Sequence, residues 1–214
     1  MPEEFFNKEE RVKARSLARI LLTALNDASS REQRRRLVNS IAAVASAGTV
    51  ERDRFGFNPV LSAMDTAVTL CKSVDADLNM VLAIMLSSIA RAGNFPYDWG
   101  EDVAGLVRGL DKIAGLYRRS PSVESDNFRK LLLTFAEDIR VIIIMIVDRL
   151  TLMRAINHHK AEKAVRDVAY EVNYLYAPLA HRLGLYAIKS ELEDMSLKYS
   201  NREMYTRIAH ELNQ

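Results

Sequence analysis

The chain has 214 residues, 49% of them hydrophobic and 27% charged, enough to bury a core as one large or two small domains. Thirty Lys and Arg against 28 Asp and Glu leave a formal charge of +2, a balance that gives no general case for nucleic-acid binding. A single cysteine, Cys71, excludes an internal disulfide and fits a reducing compartment; the acidic N-terminus shows no signal peptide or membrane anchor, so the chain reads as cytoplasmic.

Almost every segment carries the helical period, with Gly and Pro falling between segments, which predicts an all-α chain. Residues 8–26 form an amphipathic helix, and Ser30 with Gln33 makes a capping box for a second that ends near Gly48. Within it Arg34-Arg35-Arg36 reads as a solvated face. A loop around Arg54 leads to helices over residues 61–74 and 77–91; the first carries Ala63, Ala67, Leu70 and Cys71, a cysteine suited to simple core packing. From Trp99 the pattern predicts short helices, with Gly105 and Gly109 placed for close helix packing. Residues 115–127, polar and rich in Ser, are expected to form a mobile loop.

Residues 128–157 predict the central helix, since apolar positions recur at helical spacing from Leu131 to Ile156 without Gly or Pro. Its run from Val141 to Val147 is the most apolar in the chain and ends on Asp148. That run is far short of the roughly 20 residues that span a bilayer, so it reads as a helix enclosed by others. Burying ionised Asp148 there would cost on the order of several kcal/mol unless a cation or a donor met it. A further helix follows over residues 159–177, Pro178 starts a turn, and another helix begins near Leu185. Ser200 with Glu203 caps a last one, whose abrupt end at Gln214 suggests a piece of a longer protein.

Local chemistry is sparse. Neither GxxxxGK[ST] nor GxGxxG occurs, which argues against a Walker-type nucleotide site. His158 and Glu162 stand four apart but read better as a solvated helix end than as a metal pair. Glu137-Asp138 and Glu193-Asp194 are explained by capping and surface charge at helix edges. From composition and spacing alone the chain is a soluble helical domain.

Several runs together resemble a known family. Tyr176-Ala177-Pro178-Leu179-Ala180-His181-Arg182-Leu183-Gly184, Ile188-Lys189 and Glu191-Leu192-Glu193-Asp194 occur in the order of its hallmarks. Asn127-Phe128-Arg129-Lys130-Leu131-Leu132, Glu137-Asp138-Ile139-Arg140-Val141, Asp148-Arg149-Leu150 with Met153-Arg154, and the Trp99-Gly100 stretch through Gly109 also match. The pattern resembles the N-terminal half of RelA/SpoT-type enzymes, which make and degrade the alarmone (p)ppGpp. The resemblance implies an all-helical HD-type bundle in which manganese, held by His, His-Asp and Asp, serves removal of the 3′-pyrophosphate.

Aligned without gaps, Ser87 and Ser88 replace the His-Asp pair, Arg91 and Ala92 replace a Glu-Asp pair, and Ala63 stands where the first His belongs. Leu152 replaces a nearby Asn, and only Asp148 survives of the metal ligands. Asn58-Pro59 looks like the family's His-Pro, but using it would require an insertion; Arg54 matches an arginine associated with the guanine nucleotide. Serine hydroxyls are poor ligands for manganese and alanine is none, so the expectation is a pseudo-hydrolase with no cofactor. Arg91 then brings a fixed charge to Asp148, or turns to solvent while Asp148 caps a backbone amide. The implied organisation is N-terminal helices over residues 1–48, a degenerate HD domain over 49–177 and a connector over 178–214 leading to a synthetase domain in cis. That parent would transfer pyrophosphate from ATP to GTP or GDP, with a guanine nucleotide as residual ligand of this domain and no membrane or nucleic acid as partner. The alternatives are an active hydrolase with a rearranged site using Asn58, Asp148 and the serines, and a free-standing interaction module.

Overall fold

The computed structural model describes residues 5–24, 31–46, 51–90, 99–119 and 138–201, with Tyr205 and Glu211. Every regular element among them is helical, as the periodicity predicts. In order they are α1 (Lys8–Ala24), α2 (Arg31–Ser46), α3 (Pro59–Ser73), α4 (Leu78–Ala90), α5 (Glu101–Arg119), α6 (Ile139–Ala155), α7 (Glu162–Glu171), a π-helical turn (Val172–Tyr176), α8 (Ala177–Arg182) and α9 (Tyr186–Ser200). No described helix is long and apolar enough to cross a membrane.

Helix α3 is the hub, packing on α1, α4 and α6, while α5 closes on α4 and α6 and α9 closes on α7, α8 and α6. Its start is set locally: Asn58 accepts hydrogen bonds from the amides of Val60 and Leu61, and Pro59 occupies the first turn, where a missing N–H costs nothing. Asp77 does the same for Met80 at 2.8 Å before α4, and Asp138 for Arg140 at 2.9 Å before α6. One side chain ties together the starts of α4, α5 and α6. The Arg140 guanidinium reaches Asp77 at 3.0 Å, Asp102 at 2.6 Å and Asp138 at 2.6 Å, so a single cation serves carboxylates that each favour a helix N-terminus. Its hydrogen bonds hold Asp102 and Asp138 below the usual carboxylate range.

Several expectations are corrected. The central helix does not run through residue 138: Asp138 is extended and caps a helix that begins at Ile139, because its carboxylate satisfies a free amide better than continuing the turn would. Residues 99–119 form one helix with a short lead-in rather than several, so the mobile stretch expected over 115–127 is helical as far as Arg119, and 120–127 lies outside the described residues. Gly109 explains how α5 sits so close to α6, since a Cβ there would stand 2.8 Å from Val141 Cγ2. Pro178 does not start a turn. The chain stays helical because the Ala177 amide bonds back five residues to Val172, a π step that accommodates the proline's missing donor just beyond it. The helix ends where Leu185 N–H meets the Ala180 carbonyl at 2.9 Å and Gly184 N–H meets the His181 carbonyl at 3.1 Å, a closure that requires the positive φ of 73° at Gly184. Glu193 and Asp194 lie inside α9 rather than at its edge, with Glu193 paired to Lys189 at 2.8 Å. Cys71 is only half-buried, and that burial pushes its thiol pKa up. Of the two expected capping pairs, Ser30 and Glu203 lie outside the described residues, while Ser200 ends α9 and its hydroxyl donates to the Ser196 carbonyl at 2.7 Å.

Candidate functional site: an acidic interhelical cleft

A cleft of about 640 Å³ opens between α3, α4, α5 and α6, with the turn around Arg54 at its rim and Tyr176 in its wall. Helical spacing assigns its walls. Pro59, Ser62, Ala63 and Thr66 form one stripe of α3; Ser87 and Ser88 come from α4, and Ile144, Asp148 and Leu152 recur every four residues along α6. The opposite face of α6, with Ile146, Val147, Leu150 and Met153, is in the core.

This arrangement corrects the reading of Asp148 as a buried acid inside an enclosed helix. Asp148 is exposed to the cleft, and its Oδ1 accepts a hydrogen bond from Thr66 Oγ1 at 3.2 Å. The apolar run is enclosed on one face and open on the other, so the carboxylate keeps access to solvent. Thr66, itself only 1% exposed, was not legible as a partner because it lies 82 residues away in the chain.

The expected positions largely converge. Arg54, Ala63, Ser87, Ser88, Asp148 and Leu152 all line the cleft, whereas Arg91 and Ala92 lie outside the described residues, and with them the ion pair expected between Arg91 and Asp148. Ser88 Oγ donates to the Met85 carbonyl at 2.7 Å, a bond within its own helix. Ser87 is 7% exposed. Asn58 does not line the cleft: it is 1% exposed, caps α3 and donates to the Phe5 carbonyl. A rearranged site that used Asn58 would have to free a side chain that caps the hub helix.

The rim is a tight turn. Asp53 Oδ1 accepts from the amides of Phe55 at 2.9 Å and Phe57 at 2.8 Å, and Gly56 at φ 79° closes it. Arg54 stands at its tip, exposed, with its guanidinium 5.2 Å from the Phe55 ring centre. Two braces hold the turn from outside. Arg52 reaches Glu10 of α1 through two bonds of 2.6 and 3.1 Å and donates to the Gly56 carbonyl at 3.2 Å. His159 sets its ring against Phe55 and Phe57; its Nδ1 accepts from the Ala161 amide at 3.1 Å, so Nε2 carries the proton and donates to the Phe55 carbonyl at 3.1 Å. His158, expected as a solvated helix end, is exposed at φ 66°, and Glu162 pairs with Arg166.

On the far wall Arg149 contacts Glu171 at 3.5 Å and the Tyr176 hydroxyl at 3.1 Å, with its guanidinium over the Tyr176 ring at 4.8 Å. Among the described residues five carboxylates line the cleft, those of Asp53, Asp65, Asp111, Asp148 and Glu171, against the guanidiniums of Arg54 and Arg149. Among the described residues no group of three or more His, Cys, Asp and Glu side chains is placed to hold a metal ion.

Comparison with known proteins adds the family. The HD domain model matches residues 40–186. The chain is 35% identical over 154 residues to guanosine-3′,5′-bis(diphosphate) 3′-pyrophosphohydrolase of Aquifex aeolicus, covering 70% of this chain and 22% of that protein. It is 39% identical over 120 residues to a GTP pyrophosphokinase of Myxococcus xanthus, covering 54% and 16% of the two chains. A third relative, the bifunctional (p)ppGpp synthase/hydrolase SpoT of Escherichia coli, is 40% identical over 107 residues, covering 49% and 15%. The chain thus matches less than a quarter of the length of each of these curated relatives, 22%, 16% and 15%. With its helical bundle and a cleft at the expected positions, the chain belongs to the HD-domain family, in its RelA/SpoT branch.

Proposed function

We propose that this domain is a pseudo-hydrolase, the helical partner of a (p)ppGpp synthetase domain in the same polypeptide, and that it regulates synthesis rather than degrading the alarmone. The observation carrying this reading is the set of donors gathered in the cleft. Ala63 and Leu152 offer none, the Ser88 hydroxyl is engaged by its own helix, and Asp148 is the single acid among these positions. Manganese asks for several nitrogen or charged oxygen donors converging on one point, and this set does not suit it. Without such an ion none of these side chains acidifies a water for attack on phosphorus.

The relatives' names support both halves of the parent activity, since one is called a GTP pyrophosphokinase and others pyrophosphohydrolases. Those hydrolase names also favour the second reading, an active 3′-pyrophosphohydrolase with an altered site. The test is direct: this chain, incubated with ppGpp and manganese, should release no pyrophosphate above a protein-free control, and manganese-dependent release would establish the second reading. The regulatory half is tested by deleting the domain from the full polypeptide, which should change the rate or control of pyrophosphate transfer to GTP or GDP; unchanged synthesis would leave the domain only a folding role.

A further inference from the structure

We propose that α1 is a releasable strap across the mouth of the cleft. Docked, it fixes the turn that carries Arg54 and ties down Asp65; undocked, it frees both. Only its consequence for synthesis rests on the regulatory reading of the domain.

Polar links from this end of the chain converge on one opening. The Phe5 carbonyl accepts from Asn58, the cap of the hub helix α3. Glu10 holds Arg52, which donates to the Gly56 carbonyl inside the rim turn, and Lys13 pairs with Asp65 in the cleft wall. Successive points along residues 5–13 thus bear on the cap, the rim and the wall. With α1 undocked the turn loses the Glu10 anchor of Arg52 and keeps the bond from His159, so it loosens without coming apart. α1 also lies outside residues 40–186, the stretch that matches the HD domain model.

Apolar anchorage of this helix is slight. Of the 17 residues of α1 only Leu17 and Leu21 are buried, whereas α3 buries most of one face and both its ends. A lone helix of such length is marginal in water, so α1 keeps its form mainly through docking. Its first turn is closed by Asn7 and Glu10, each side chain accepting from the other's amide at 2.9 Å. The Glu10 carboxylate therefore serves the helix start and Arg52 together, and the two contacts are lost in one step. Elements with few buried apolar contacts open first in a fold. A braced mouth and a loose one supply the two-state element that control by this domain requires.

Hydrogen exchange of the intact chain, followed by mass spectrometry, reads the strap without any substrate. The amides of α1 and the hydrogen-bonded amides of Asp53, Phe55, Gly56 and Phe57 should share one protection, well below that of α4 and α6. Leu21→Ala removes an anchor in the last turn of α1, at the opposite end from Glu10, and should speed exchange in α1 and in the rim turn alike by about tenfold or more. Leu21→Val is the milder form and should give a smaller factor, again common to both. The proposal is overturned if the turn keeps its parent rate in these variants while α1 speeds up, or if α1 and the turn are as protected as α4 and α6. In the full polypeptide Leu21→Ala should alter pyrophosphate transfer to GTP in the same direction as deleting the domain, and a deletion effect that the variant does not share overturns the strap's part in control. No deletion effect at all fails the regulatory reading instead, and exchange tells that failure apart from failure of the strap.

Discussion

Replacing Glu10 by Gln tests whether α1 holds the rim of the cleft in place. The Glu10 carboxylate and Arg52 guanidinium meet through paired bonds of 2.6 and 3.1 Å, and their side chains are only 14% and 19% exposed. Exposed ion pairs contribute about 0.2–1 kcal/mol, and removing one partner of a fully buried pair costs about 3–5 kcal/mol. This pair lies between, and because Gln keeps an oxygen to accept from the Asn7 amide, a loss of about 2 kcal/mol is expected. For a chain of this size that corresponds to a fall of roughly 4–8 °C in the unfolding midpoint. Urea denaturation of the parent, Glu10→Gln, Arg52→Met and the double variant would give a coupling of about 1–2 kcal/mol. The pH dependence has a definite sign. The hydrogen bond from Arg52 lowers the Glu10 pKa from its ordinary 4.5 in the folded state. The stabilisation is therefore fully present above that ordinary value and fades as pH falls through the lowered one, so parent and Glu10→Gln should converge in acid. A difference under about 0.5 kcal/mol at neutral pH, or one that persists unchanged in acid, would refute the reasoning.

Three further outcomes follow from packing and charge. Gly109→Ala should destabilise by about 1 kcal/mol, the clash with Val141 outweighing the better helix propensity of alanine, and in a Val141→Ala background the same change should be neutral or stabilising by urea midpoint. Arg140→Ala should release Asp102 and Asp138, whose pKa values its hydrogen bonds lower; the parent loses that stabilisation as pH falls through those lowered values, so acid titration of unfolding should be flatter in the variant. Tyr199, whose hydroxyl donates to the Met153 carbonyl at 2.6 Å, is pushed by burial up to about 12. It should ionise late in an ultraviolet titration, a phase absent in Tyr199→Phe, and its contribution to stability, present below its ordinary 10, should be lost as pH rises through about 12.

The hydrophobic period identified the described helices other than α8, whose Pro178 had read as a turn, because it is a local property; the caps at Asn58, Asp77 and Asp138 that set three helix starts were assigned to those starts only by the structure. Gapless register against the RelA/SpoT pattern also brought Arg54, Ala63, Ser87, Ser88, Asp148 and Leu152 to one cleft, since helical spacing carries face information along each element. Which face meets other helices is a different matter. The apolar run of α6 looked enclosed all round, yet one side borders open space, because that depends on where α3, α4 and α5 stand. The partner of Asp148 was likewise decided by the fold, through a threonine 82 residues distant. The sequence alone determined helices, their faces and the residue types available for chemistry; only tertiary packing decided which of those faces stays open and what charge it presents, because burial and hydrogen-bond partnership are properties of neighbours in space.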